Sequence, residues 1–338
     1  MPKLTIQDVA RLAGVSTATV SRAIHQPHLL RQKTLERVLQ VMSEHDYVYN
    51  ATAGDLSRRK SSVLGVFIPT TESAKLSSTV IAAQDVINSQ GYPLIINNTL
   101  FDVHRERLQL RYCRERSLSG LLFLGYMAQN EEIIMNIARN DMPCVFLWDT
   151  MPGTSLHYVG FDNFEASYKM TEHLIQLGHK RIAFVGAMYS LVQRVQKRLD
   201  GYLAALQEHD IPCREEYVLE YQPTLNKGCE AMRRFLALQE PPTAVFCASD
   251  MLAIGALTAC REAGVMVPEQ ISVAGFDDIE FAEHVFPALT TIRVPSDMMG
   301  SIAGKALLDL VRNGGHQLYQ HTLETTLVRR ASCAPPLK

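Results

Sequence analysis

The stretch LTIQDVARLAGVSTATVSRAI, Leu4–Ile24, decides the architecture of the head. Thr5 precedes Ile6, Val9, Ala10 and Ala13, whose i, i+3, i+4, i+7 spacing makes one apolar face of a helix. Asp8 stands three residues after Thr5, so the pair can form a capping box. Gly14 can take the positive φ that ends a helix, and Val15 closes the turn. Ser16 then caps a second helix that turns Val20, Ala23 and Ile24 inward. Helix, glycine turn and helix in so short a span is the pattern of a helix-turn-helix. A third helix follows, with Leu35, Val38, Leu39 and Met42 as its apolar face.

The outward face of the second helix carries Thr17, Ala18, Ser21 and Arg22. Short side chains let a helix sit deep in a major groove, and a guanidinium can give two hydrogen bonds to guanine O6 and N7. The hydroxyls of Ser16, Thr19 and Ser21 suit phosphate oxygens. Charge points the same way: residues 1–60 carry net +4 and the remainder net −6. A basic head on an acidic body fits a polyanionic partner.

From Val63 short apolar runs alternate with amphipathic helices. The runs are VLGVFI (63–68), PLIIN (93–97), GLLFL (120–124), PCVFLW (143–148), RIAFVG (181–186), AVFCAS (244–249) and ISVAGF (271–276). Helical patterns lie at 76–90, 103–116, 163–177, 250–263 and 297–312. Such alternation predicts parallel sheets covered on both faces, with ligands at the carboxyl ends of the strands. The residues there are Pro69-Thr70-Thr71, Asn97-Asn98, Asp149, Ser249-Asp250 and Asp277-Asp278. Carboxylates accept hydrogen bonds from sugar hydroxyls, which favours Asp149 and Asp277 as ligand contacts. Asp250, before MLAIGAL, reads as a helix cap. Arg194, Lys197 and Arg198 cluster at one helical start; they either neutralise an acid or form a solvated face.

Composition narrows the classes. The 338 residues suffice for two or three domains, and 47% hydrophobic content implies a sizeable core. No apolar run is long enough to span a membrane, and the start lacks a signal-peptide core, so a cytoplasmic protein is expected. Seven scattered cysteines form no C-x-x-C pair, and His173 and His179 make no H-E-x-x-H site. No metal site or cofactor is expected. An enzyme is the rival reading on a doubly wound fold, but no nucleotide-binding glycine loop or nucleophile elbow is present. A sugar-binding module without a DNA role leaves the first 60 residues unexplained.

TIQDVARLAGVSTATVSRAI, with its spacing to Tyr47, Asn50 and Leu56, resembles the DNA-binding head of the LacI/GalR family of bacterial transcription regulators. GLLFL, VGFDNFEA, LGHKRIAFVGA, RLDGYLAAL, CASDMLAIGAL and ISVAGFDDIEFAEHVFPALTTIRVP are similar to successive later segments of that family, and VGFDNFEA is similar to its gluconate-type branch. The resemblance implies an α/β protein with an N-terminal all-α helix-turn-helix head and two doubly wound parallel-sheet lobes like a periplasmic sugar-binding protein. It implies a head at 1–49, a hinge at 50–61, one lobe at 62–160 plus 293–321, and the other at 161–292 plus 322–338. The chain would cross between lobes near Gly160–Asp162, Thr291–Val294 and Gln320–Leu323. The base readers would be Thr17, Ala18 and Arg22, within a DNA-binding set of Thr5, Ser16, Thr17, Ala18, Thr19, Ser21, Arg22, Tyr47, Asn50, Ala53 and Leu56. The effector contacts would be Asp149, Arg198 and Asp277, joined by Phe161, Arg194 and Ser249. The partners implied are double-stranded operator DNA, a sugar, sugar acid or derivative as effector, and a second copy of the chain, a dimer or a tetramer. The tail LVRRASCAPPLK has no heptads to support a coiled-coil tetramer. The family commonly has Asn at His25, Pro at Tyr49, Ser at Arg31 and Asn at Ser249.

In the family the stretch matching NATAGDLSRRKSS, Asn50–Ser62, forms a hinge helix on operator, and its leucine, here Leu56, wedges into the minor groove. Ala53, three residues earlier, can share that side of the helix. Gly54 and Asp55 stand where Arg and Ser are frequent. A glycine inside a helix costs about 1 kcal/mol relative to alanine. Gly54→Ala is therefore expected to tighten operator binding by up to about fivefold. Fluorescence anisotropy checks this, and unchanged or weaker binding counts against a DNA-induced helix.

Overall fold

The computed structural model describes residues 4–25, 27–48, 61–187, 191–314 and 317–337. It forms two compact units that divide between Ser61 and Ser62. Asn50, Ala53, Gly54, Asp55 and Leu56 lie outside the described residues, as does Tyr49.

The head holds α1 (Ile6–Ala13), α2 (Thr17–His25) and α3 (Gln32–Glu44). Its core is small: Val9, Ala10, Ala13, Val20, Ala23 and Val38, ringed by Ile6, Val15, Ile24, Leu30, Leu35, Val41, Met42 and Tyr47. Leu39 departs from the expected inward face of α3. It is 47% exposed, and Val41 packs on the core in its stead. Arg31 precedes α3 without a side-chain capping bond.

The body contains β1 (Leu64–Ile68), α4 (Ala74–Ser89), β2 (Leu94–Asn98), α5 (Val103–Glu115), β3 (Gly120–Phe123), α6 (Glu131–Asn140), β4 (Cys144–Leu147) and β5 (His157–Gly160). It continues with α7 (Asn163–Gln176), β6 (Ile182–Ala187), α8 (Gln193–Glu208), β7 (Val218–Tyr221), α9 (Leu225–Leu236), β8 (Ala244–Cys247), α10 (Asp250–Glu262) and β9 (Ser272–Ala274). The last elements are β10 (Thr291–Arg293), α11 (Ser296–Asn313), β11 (Gln320–Thr322) and β12 (Thr326–Val328). All seven apolar runs named above form strands.

Two parallel sheets result. One runs β11-β5-β4-β3-β1-β2 and the other β7-β6-β8-β9, while β10 and β12 make an antiparallel ribbon. Strands β1, β3, β4 and β8 are buried along their whole length, because helices cover both faces of a parallel sheet. Helix α4 packs on α11, and a Cβ at Gly300 would strike the Thr79 carbonyl, so only glycine permits that approach.

The chain leaves the larger sheet at Gly160 and enters α7, which packs on α8 beside β6. It returns through β10, bridged to the smaller-sheet side at Ala274–Thr290 and Asp277–Arg293, into α11. Strand β11 lies beside β5 and is followed by β12. One apolar cluster runs through both sheets, from Leu64 and Leu122 to Phe184 and Phe246. Trp148, Phe161 and Phe276 bridge it, with ring centroids 5.9 and 6.1 Å apart. Among the described residues no helix is long and apolar enough to cross a membrane.

Candidate functional site

In the head, the Thr5 side chain accepts from the Asp8 backbone N–H at 3.3 Å, and the Thr5 N–H donates to Asp8 Oδ2 at 3.0 Å. This capping box, with its hydrogen bonds from Thr5, holds the Asp8 carboxyl below its ordinary range. Gly14 takes φ 62°, and Val15 N–H returns to the Ala10 carbonyl at 2.9 Å. The positive φ and this bond turn the chain so that Ser16 can start α2. Its Oγ accepts from Thr19 N–H at 3.2 Å and lies 2.9 Å from Thr19 Oγ1. Thr17, Ala18 and Arg22 are exposed together on α2, and Ser21 is half-buried beside them. Thr5 and Ser16 are also exposed, while Tyr47 is half-buried against the head core.

In the body, α8 begins at the strand ends of the larger sheet. Arg194 Nη1 donates to the Leu124 carbonyl at 2.9 Å. Lys197 Nζ donates to both Asp149 carboxylate oxygens at 2.7 Å and to the Thr150 carbonyl at 3.1 Å. Gln193 Nε2 reaches Glu131 Oε2 at 2.8 Å, and Ala128 N–H donates to the Leu191 carbonyl at 3.3 Å. The two lobes therefore meet along the first turns of one helix.

Arg198 lies one turn further along the same helix. Its Nε donates to Asn163 Oδ1 and its Nη1 to the Ala248 carbonyl, both at 2.9 Å, and its guanidinium lies 3.7 Å over the Phe276 ring. Asn163 Nδ2 in turn donates to the Trp148 carbonyl at 2.8 Å. Burial brings Arg194 and Arg198 each down to about 10, helped at Arg194 by the charge of Arg198 and opposed at both by Asp149 and Asp277, and both stay charged at neutral pH.

Asp277 takes φ 114°, a backbone region that a non-glycine residue occupies only at a cost of about 1–3 kcal/mol. Burial pushes its carboxyl up to about 6, against the pull of Arg198 and Arg194. Its neighbour Asp278 is committed elsewhere, to Arg293 at 2.6 Å and Arg330 at 2.8 Å. Burial raises that carboxyl, but the two arginine hydrogen bonds outweigh it and hold it low.

Two expected roles change. Ser249, not Asp250, caps α10, its Oγ accepting from Met251 N–H at 3.3 Å. Asp250 is wholly buried and ties two distant segments, accepting from Ile279 N–H at 2.8 Å and Thr291 Oγ1 at 2.6 Å. Phe161 has no exposed surface; it supports the floor between Trp148 and Phe276 and does not face the cavity. Asp149, Arg194, Arg198 and Asp277 are brought together, since the charges of both acids act on both arginines.

The cavity between the lobes encloses about 20 Å³ and is lined by Gly125, Tyr126, Phe146, Asp149, Met151 and Arg194, among others. That is room for about one water and not for a sugar. Gly125 and Tyr126 escaped the sequence reading, although the carboxyl-end rule applied after Leu124 reaches them. Gly125 takes φ 105°, and a Cβ there would collide with Arg194 Nη1.

Glu106 escaped it too. It is buried on α5 and accepts from Met127 N–H at 3.1 Å and Asn130 Nδ2 at 2.8 Å, so it shapes the loop facing α8. Burial pushes its carboxyl up to about 7, from an ordinary 4.5. The folded protein thus binds this proton more tightly than the unfolded chain. Stability is lost as pH rises from about 4.5 to about 7 and stays lower above that. Urea unfolding at pH 5 and pH 8 checks the consequence. Glu106→Gln is expected to lose about 2 kcal/mol less than wild type over that interval; an equal loss refutes it.

The family model described as "Bacterial regulatory proteins, lacI family" matches residues 5–50, and "Periplasmic binding protein-like domain" matches 171–333. The HTH-type transcriptional repressor PurR of Pectobacterium carotovorum subsp. carotovorum (strain PC1) is 32% identical over 333 residues, covering 98% of this chain and 97% of its own. Among solved structures, the lac repressor dimer bound to operator and the anti-inducer ONPF is similar with a TM-score of 0.84 and 28% identity, over 98% of this chain and 99% of that one. The complex of the transcriptional regulator CelR with cellobiose is similar with a TM-score of 0.71 and 27% identity, over 98% and 100%.

Proposed function

The chain belongs to the lacI family of bacterial regulatory proteins, DNA-binding repressors and not enzymes, and from that premise we propose that it binds a palindromic operator as a homodimer under the control of a small hydroxyl-rich effector. Two heads related by a twofold axis read two half-sites, each through Thr17, Ala18 and Arg22. Ser16, Thr19 and Ser21 contact phosphates, with Thr5, Tyr47 and Asn50 in the same set, and Ala53 and Leu56 act at the minor groove. The lobes are 62–160 with 293–321, and 161–292 with 322–338. The effector, a sugar, sugar acid or derivative, contacts Asp149, Arg194, Arg198 and Asp277, with Ser249 at the rim and Phe161 beneath. The protein acts in the cytoplasm, where its DNA is.

The observation that carries this reading is the meeting of α8 with Asp149 and Leu124 across a closed cleft. Such a contact exists in one lobe arrangement and is broken in another. A ligand that enters the cleft must favour one of them, and its differential affinity sets how far operator binding shifts. Fluorescence anisotropy with a palindromic and a scrambled duplex, over a range of salt, tests the proposal. The expected result is a steep fall of affinity with salt and a preference for one sequence that a sugar or sugar acid alters. Equal binding of both duplexes, indifferent to every ligand, overturns it.

A further inference from the structure

One carboxylate holds both strands of the ribbon that joins the two lobes. Asp278 follows β9, is 8% exposed, and meets Arg293 Nε at 2.6 Å and Arg330 Nη1 at 2.8 Å. Arg293 ends β10, and the chain runs from there into α11, which packs on the larger sheet. Arg330 stands just beyond β12, whose Thr326 pairs with Arg293 across the ribbon. After Arg330 the chain returns to the smaller sheet, where Val273 N–H donates to the Ser332 carbonyl at 2.9 Å. Arg330 is itself fixed: its Nη1 donates to the Leu289 carbonyl at 2.9 Å, and Glu283 lies 3.9 Å from its Nη2.

The backbone is stitched at the same place. Asp277 N–H donates to the Ile292 carbonyl at 2.9 Å, and Val294 N–H to the Asp277 carbonyl at 3.4 Å. Asp277 and Asp278 both take positive φ, 114° and 55°, which few non-glycine residues adopt. A turn of this kind persists only where its surroundings determine it, and such turns gather at switches and binding sites. Ion pairs such as Arg111–Glu115 and Lys227–Glu230 join exposed groups on one helix, and little depends on them. The pair of contacts at Asp278 differs: its carboxylate is buried, and its partners belong to separate strands. Rotation of one lobe against the other has to turn β10, since α11 travels with the larger sheet. The ribbon cannot turn without drawing Arg293 or Arg330 off Asp278.

Resting on the reading of two lobe arrangements, we propose that Asp278 is a positioning residue of the regulator: its clamp on Arg293 and Arg330 holds the ribbon at the angle at which α8 meets Leu124 and Asp149. Asp278 needs no contact with a ligand. A ligand that shifts Asp277 shifts the ribbon, because the clamp sits on the next residue of the same turn.

The test uses Trp148, the single tryptophan of the chain, as its reporter. Trp148 is 2% exposed, packs edge-on against Phe161, and accepts from Asn163 at its carbonyl, while Phe161 meets Phe276. Lobes that part uncover it. Acrylamide quenching of the full, ligand-free chain measures that exposure, with thermal unfolding of the body alongside. Asp278→Asn, which keeps the shape and removes the charge, is expected to raise the quenching constant at least about twofold. Arg293→Gln removes one arm at a half-exposed side chain, so its Tm should stay near that of wild type while its quenching rises too. Glu283→Gln, a surface charge beside Arg330, should quench as wild type does. Wild-type quenching in a folded Asp278→Asn or in Arg293→Gln overturns the clamp and leaves the effector cleft standing. A rise in Glu283→Gln as large as in Arg293→Gln overturns it as well, since loss of any nearby charge then suffices. If Asp278→Asn does not fold, Arg293→Gln decides alone. A wild type quenched as freely as the urea-unfolded chain has no closed arrangement to hold, and the clamp and the effector reading fall together.

Discussion

Val38→Asp is expected to abolish operator binding while the body stays folded. Val38 lies on α3, has no exposed surface, and is one of six buried residues at the centre of the head's core among the described residues. A unit of this size holds at most about 3–5 kcal/mol of net stability. A carboxylate set among Val9, Ala13 and Val20 without a partner costs several kcal/mol, enough on its own to unfold it. The side chain faces inward, so lost affinity cannot be a lost DNA contact. Operator affinity should fall by more than about hundredfold. The head and body are separate compact units, so the calorimetric transition of the body should remain. Val38→Ala, which only opens a cavity, should cost about 1–3 kcal/mol and weaken binding less. A Val38→Asp protein that binds operator within about tenfold of wild type refutes the account.

Arg198→Ala is expected to keep operator binding and lose the response to effector. Three contacts go at once: the hydrogen bonds to Asn163 and Ala248, and the stacking over Phe276. Two buried acceptors are left unpaired, at about 1–3 kcal/mol each, and removal of an unpaired charge offsets part of that. The net loss should be about 2–4 kcal/mol, read as a lower Tm of the body. Asn163 links Arg198 to the Trp148 carbonyl in the other lobe, so its orientation loosens as well. The head is untouched, and affinity for the palindrome should stay within about threefold of wild type. Any sugar or sugar acid that changes operator affinity of wild type should fail to change that of Arg198→Ala. A normal response in the variant removes Arg198 from the effector site.

The head was legible because its signals are local. Thr5 and Asp8 are three residues apart, Gly14 needs only its own φ, and the inward set of α1 and α2 repeats at helical spacing. The central strands were legible because burial on both faces leaves an unbroken apolar run. Strands β10, β11 and β12 have three residues each, too few for a period to show, and β7 is an edge strand with Glu220 in it. Asp250 was misread for a different reason. Its partners Ile279 and Thr291 lie 29 and 41 residues away, and nothing adjacent to it records them. The cleft shows the same limit: Asp149 and Arg198 stood out one by one, but the bond from Lys197 to Asp149 spans 48 residues. Whether a cation cluster is a solvated face or a site is decided by what folds over it.

That lysine bond has a consequence for regulation. On the proposed effector role of Asp149, Lys197 holds the carboxylate that a ligand would use, so the lysine and the ligand compete for it. Ligand affinity is then scaled down by the fraction of molecules in which Asp149 is unoccupied. The concentration at which the switch responds is therefore a property of an internal pair as much as of the ligand's own contacts. A change at position 197 alone can move that set point up or down, leaving both the identity of the signal and the DNA sequence that is read as they were.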